Sequence, residues 1–148
     1  MSANSYHLAL GTRFSTAVPH VRELGICVGD VCAEHVDANL PFREDWLGDP
    51  LRGLIHTGVI TTLVDSVSGV AVLAKLERYE PVATLDLRMD YLRPALRDLA
   101  LNCRAECYRV STHIAFVRAR VWQDDVDAPV ATSQSVFMLS SRKKQRTL

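Results

Sequence analysis

Charge of one sign is what this 148-residue chain most plainly lacks: seventeen Lys and Arg stand against seventeen Asp and Glu, a formal net charge of zero. No global field draws in nucleic acid or an anionic membrane, so any anion must be met locally. The N-terminal MSANSYHLALGTRF lacks the basic-then-apolar order of a signal peptide, which gives the expectation of a cytoplasmic protein. A clean apolar run of membrane length is missing too. The nearest candidate, residues 57–74, is interrupted by Asp65, three Thr and two Ser, and reads as the buried helix of a soluble fold rather than a span of ~20 apolar residues. Cys27, Cys32, Cys103 and Cys107 lack CxxC spacing and only His35 lies near any of them, so the reading is reduced core thiols with no metal site and no cofactor. There is no internal repeat and no low-complexity segment.

What is present is ordinary for a folded chain: 48% apolar and 23% charged residues, enough for one domain over 1–148. A short N-terminal helix is expected within residues 1–18, broken before Pro19. HVRELGICVGDVCAEHV reads as two short strands joined at Gly29-Asp30, and residues 37–54, with two Pro and two Gly, as a long loop. Four period-two segments follow the apolar run. In TLDLRMDYL, Leu85, Leu87, Met89 and Tyr91 fall on one face and Thr84, Asp86, Arg88 and Asp90 on the other. Leu99, Leu101, Cys103, Ala105 and Cys107 alternate in the same way. HIAFVRARVWQ and PVATSQSVFML complete the set, with connections short enough for antiparallel neighbours. One long helix and an antiparallel sheet imply an α+β arrangement. The basic tail, 140–148, reads as a solvated terminus.

From Thr57 to about Arg78 no Pro interrupts the helix. Ile60, Leu63, Val64, Val67, Val70, Ala71 and Ala74 make a broad apolar side, while Gly58, Thr61, Thr62, Asp65, Ser68 and Gly69 make a small, polar one. A carboxylate there needs partners whether it is structural or chemical. The free amides at the helix start, near Thr57 and Gly58, form a place where negative charge is stabilised.

His56-Thr57-Gly58, then Leu63-Val64-Asp65, then Gly69, resembles the signature of hotdog-fold acyl-CoA thioesterases of the phenylacetate-pathway (PaaI-like) type. Thr84-x-Asp86, followed by Tyr91-x-x-Pro94-Ala95, is similar to the same family's downstream strand. The resemblance runs from about residue 14 to 139. It implies a hotdog fold, a long central helix wrapped by a curved antiparallel sheet. It also implies a homodimer joined edge to edge, with a dimer of dimers beyond it, and an acyl-CoA substrate whose CoA is the only cofactor involved. By the same resemblance the Thr57 N–H would polarise the thioester carbonyl, with Gly58 beside it. Asp65 would act as nucleophile or general base, Thr84 would orient the water and His56 would brace the loop. The family's usual Gly is Thr57 here, and Pro50 stands where relatives carry Asn or Gln. Phe42, Trp46 and Leu47 are candidates for the acyl pocket; Arg88, Arg93, Arg97 and the basic tail are candidates for the CoA phosphates. Two alternatives remain: a non-catalytic acyl-CoA-binding protein of this fold, and an enoyl-CoA hydratase or dehydratase, prompted by GDP ahead of the histidine in GDPLRGLIH.

Thr57 and Asp65 lie about 12 Å apart along a helix axis, whereas a carbonyl donor and a water-activating group must converge within roughly 3 Å of the reacting atoms. Two helices related by a twofold satisfy both demands, so shared sites in an obligate dimer are expected.

Overall fold

The period-two segments become the strands of one antiparallel sheet, and the apolar run becomes the helix it wraps. A computed structural model describes residues 3–140. Helix α1 (Ala3–Ala17) leads into α2 (Pro19–Leu24), and β1 (Cys27–Val31) pairs with β2 (Val36–Leu40). A 3-10 turn at Glu44–Trp46, β3 (Leu47–Asp49) and β4 (Leu54–Ile55) then deliver the chain to α3 (Thr57–Leu76). After it come β5 (Val82–Tyr91), β6 (Leu101–Val110), β7 (Ile114–Trp122) and β8 (Ala131–Leu139). The six-stranded sheet has the order β1-β2-β6-β7-β8-β5. Its curved face encloses α3, which is the hotdog fold.

The core forms where the two periodicities meet. Leu63, Val67, Val70 and Val72 of α3 are fully buried, as are Val36, Cys103, Ala105, Val117 and Val121 on the facing strands. Each such aliphatic side chain contributes roughly 1.5–3 kcal/mol by burial. By length and composition α3 could cross a membrane, yet its apolar side is spent on the sheet. It stops where Glu77 adopts a left-handed conformation, φ 51°, and returns its N–H to the Ala74 carbonyl. α1 covers that end: the Tyr6 hydroxyl donates to the Leu73 carbonyl at 3.0 Å and His7 Nε2 lies 3.1 Å from the Ala74 carbonyl.

Several expectations change. The β1–β2 reversal occupies residues 32–35, where the Cys32 N–H donates to the His35 carbonyl at 3.0 Å. Gly29 and Asp30 instead lie inside β1, between Val28 and Val31, where the register shifts; a glycine within a strand marks such an irregularity as readily as a turn. Residues 20–24, read as strand, are helical because Pro19 starts a helix and Gly25, at φ 76°, ends it. The long loop contains the small β3–β4 ladder. Ser68 is wholly buried rather than on an open polar stripe. Cys103 and Cys107 are core thiols as expected, but Cys27 is exposed and Cys32 half-buried. The basic tail, apart from Ser140, lies outside the described residues.

The largest correction concerns β5. Thr84 sits opposite Phe137 and Asp86 opposite Val136, leaving Leu85 as an extra residue. Such a bulge reverses the alternation on one side of it. Thr84 therefore joins Leu87, Met89 and Tyr91 on the helix-facing side, against the inward Phe137, Ser135, Ser133 and Ala131. β5 is also the sheet's last strand, ten residues long, with one side unpaired among the described residues.

Candidate active site

The start of α3 is built by contacts from three directions. His56 is the N-cap, in extended backbone with φ −63° and ψ 131°, and its Nδ1 accepts the Gly58 N–H at 2.9 Å. The His56 carbonyl accepts the Val59 N–H at 3.0 Å. Residue 58 must be glycine for this cap, because a Cβ there would fall 2.9 Å from Nδ1. The Thr57 N–H, at the first helical position, has no intrahelical acceptor by construction. The expectation of free amides at both Thr57 and Gly58 thus holds for Thr57 alone, since the histidine ring occupies the other. Thr57 is not among the described residues of positive φ, which are Glu77 and Asp98 apart from glycines, so a β-branched residue is accommodated without strain.

Further contacts hold this junction. The His56 N–H donates to the Trp46 carbonyl at 2.8 Å and the Ile55 N–H to the Ala95 carbonyl at 2.9 Å. The Tyr91 hydroxyl lies 2.5 Å from Thr61 Oγ1 and 3.4 Å from the Thr57 carbonyl. The two sequence motifs, nearly thirty residues apart, thus brace one another: the Tyr91-x-x-Pro94-Ala95 segment supports the strand-to-helix step that carries His56 and Thr57. Gly48 completes the fit, since a Cβ there would approach the His56 Cα to 3.1 Å.

Two helical turns further on, Asp65 is half-buried and accepts the Thr84 hydroxyl at Oδ1, 2.8 Å away. The Leu85 bulge makes this contact possible. Thr84 spends its proton on the carboxylate, leaving its oxygen lone pairs able to accept from a water. Thr84 belongs to β5, the last strand of the sheet, so the carboxylate is tied to the sheet's edge strand.

A cavity of about 330 Å³ adjoins the helix start, lined by His20, Leu24, Trp46, Leu47, His56 and Val59 among others. Its size suits a small acyl group. A larger hollow, about 530 Å³, lies on the opposite face of the sheet beneath Arg104, Arg118 and Arg120 and contains none of the motif residues; the chemistry argues for the smaller one.

Residues 52–129 match the thioesterase superfamily. The chain belongs to that family. A medium/long-chain acyl-CoA thioesterase of Salmonella typhimurium is 26% identical over 145 residues, covering 88% of this chain and 91% of that one. A crystal structure of a Pseudomonas aeruginosa protein superposes with a TM-score of 0.79 at 34% identity, over 90% of this chain and 98% of that chain. A Haemophilus influenzae thioesterase shares the fold, with a TM-score of 0.78 at 19% identity over 95% of this chain and 94% of that chain.

Against that family membership, the candidate residues sort into three groups. His56, Gly58 and Trp46 line the cavity, Thr57 stands between the first two in the chain without lining it, and Asp65 and Thr84 form a separate pair. Phe42 packs against the core rather than lining the cavity. Arg88 stands opposite Gln134, on the sheet face away from Thr84, and is paired with Asp90 at 3.1 Å. Arg93 donates to the Ala128 carbonyl, and Arg97 is held by Glu44. The single chain therefore brings neither Arg88 nor Arg93 to the site. His20 lines the cavity and no sequence signal pointed to it, because it lies on α2, far from either motif.

Proposed function

We propose that this chain is an acyl-CoA thioesterase of the PaaI-like type, hydrolysing an acyl-CoA to the free acid and CoA in sites shared across a homodimer. The observation that carries the reading is the division of labour along α3. At its start one amide is left uncapped, and two turns away the half-buried Asp65 is held by Thr84 beside an open strand edge. Antiparallel pairing of two β5 edges would bring the Thr57 amide of one chain toward the Asp65 of the other, giving two equivalent sites.

In each site a water attacks the thioester carbonyl carbon while Asp65 takes its proton and Thr84 positions the water. The carbonyl oxygen gains charge against the Thr57 N–H and the positive end of α3. Collapse of the tetrahedral species then breaks the C–S bond and expels the CoA thiolate. The acyl group occupies the cavity walled by Trp46, Leu24 and Val59. The half-length match to the family and the contact between Asp65 and Thr84 support this assignment together.

The test is thiol release across short, long and aromatic acyl-CoAs, with Asp65→Asn run in parallel. The expected result is turnover on at least one class and a loss of 100-fold or more in the variant, a change of about 2.7 kcal/mol in barrier. Tight acyl-CoA binding with no thiol release by the unmodified protein would overturn the reading in favour of a binding module. Near-normal rates in Asp65→Asn would remove the carboxylate from the mechanism.

A further inference from the structure

The reversal between β1 and β2 gathers three ligating side chains at the opposite edge of the sheet from β5. The shifted register between Val28 and Val31 sets Asp30 toward the turn. The closing bond from the Cys32 N–H to the His35 carbonyl, 3.0 Å, draws those two residues together. Cys32 Sγ lies 3.4 Å from His35 Nδ1, and Asp30 Oδ2 lies 3.1 Å from His35 Nε2. One ligating atom from each of the three falls within 4.8 Å of the others.

We propose that Asp30, Cys32 and His35 form a binding site for a borderline-soft divalent cation of the zinc class, with water in the fourth position. The geometry is close to what such an ion requires. A tetrahedral centre with bonds of about 2.3 Å to sulfur and 2.0–2.1 Å to nitrogen sets its S···N edge at roughly 3.5 Å, against the 3.4 Å between Sγ and Nδ1. The Asp30 side chain is 68% exposed, so it can turn from the imidazole Nε2 to an ion held by Sγ and Nδ1 without disturbing the core. Asp37 is the outer partner. Its carboxylate is fixed by Arg104 through two bonds of 2.7 and 2.6 Å, and its Oδ2 stands 3.9 Å from His35 Nε2. Its negative charge lies beyond hydrogen-bond reach of Nε2 yet favours the tautomer with the proton on that nitrogen, which leaves the Nδ1 lone pair for the metal. The donor set of thiolate, imidazole and carboxylate favours zinc over magnesium or calcium, which prefer oxygen ligands throughout. Binding releases the thiol proton to solvent as the metal–sulfur bond forms.

The experiment is titration of the reduced full-length protein with Co²⁺, read by absorption, followed by Zn²⁺ competition. The expected result is one Co²⁺ per chain with a thiolate-to-cobalt charge-transfer band, displaced by Zn²⁺. Cys32→Ser should abolish that band, Cys27→Ser should leave it intact, and Asp30→Ala should weaken binding by tenfold or more while the band remains. Circular dichroism confirms that each variant is folded. Absence of the band, its survival in Cys32→Ser, or unchanged affinity in Asp30→Ala would each overturn the assignment. Zinc-insensitive alkylation of Cys32 would do the same, and would leave the constellation as a thiol and its neighbouring base.

Discussion

Thr57→Pro removes one atom group of interest and little else. Proline has no N–H, and at the first helical position that N–H lies outside the intrahelical ladder, so the helix loses no hydrogen bond. The preceding residue must be extended, and His56 already is, at φ −63° and ψ 131°. The Thr57 carbonyl, which accepts from Thr61 and Tyr91, is retained. The fold should therefore be as stable as the parent, within about 1 kcal/mol, with any gain coming from a stiffer unfolded chain. If the amide polarises the thioester, deletion of this single donor should cost about 10²–10³ in kcat, or roughly 2.7–4 kcal/mol. Urea denaturation and thiol release measure the two quantities separately. Complementation sharpens the test: Thr57→Pro and Asp65→Asn chains, each inactive alone, should on refolding together recover about a quarter of parental activity. Half of the randomly assorted dimers are mixed, and each of those has one intact site of two. Parental turnover by Thr57→Pro would refute the oxyanion assignment, and no recovery on mixing would refute shared sites.

Gly58→Ala should evict the His56 ring, since the new Cβ would fall 2.9 Å from Nδ1. Loss of the cap costs about 1 kcal/mol and the helix propensity of Ala returns roughly 0.8–1 kcal/mol. Melting should thus barely move while turnover falls on the order of 10- to 100-fold through misplacement of the helix start. Burial pushes the Tyr6 phenol up to about 12, so its contribution is complete below the unfolded value near 10 and is lost as pH rises through 12. Stability measured against pH should fall across that window, and the Tyr6→Phe variant should flatten the slope. Burial likewise raises the Cys103 thiol far above its ordinary range and pushes up Cys107. A disulfide reagent should accordingly titrate Cys27 and Cys32 in the native protein, and Cys103 and Cys107 only after unfolding. Fast labelling of all four in the native state would mean that β6 does not hold its inward face.

The parts of this molecule legible in its sequence are those in which one period persists for many residues. The inward set of α3 and the buried Leu101, Cys103, Ala105 and Cys107 of β6 follow from spacing alone, because a one-residue error would expose a whole face. The site was legible as two motifs, but not as the brace they form through Tyr91 and Ala95. Where the period breaks, the signal fails. Nothing about Leu85 announces a bulge, so Thr84 reads as outward facing, and Gly29-Asp30 has the composition of a hairpin turn though it sits inside a strand. The helix over Pro19–Leu24 did carry signals, proline at its start and a glycine after its end, but six residues are too few to display a helical period. His20 reaches the cavity through the packing of α2, a tertiary fact that no local pattern encodes.

The extra residue at Leu85 has a bearing on how this strand tolerates insertion and deletion. Removing that one residue would preserve the strand partners on both sides of it, Thr84 opposite Phe137 and Asp86 opposite Val136, and plain alternation would keep Thr84 facing Asp65. The shortened chain would still fold, and its composition would scarcely change. Keeping the residue but pairing it regularly, with Leu85 opposite Phe137, would instead turn Thr84 to the far side of the sheet and leave Asp65 without its hydroxyl donor. Pairing rather than length in β5 is thus what holds the carboxylate's partner: among proteins sharing this helix, a one-residue gap at that point is compatible with the same contact, whereas a strand of the same length without the bulge is not.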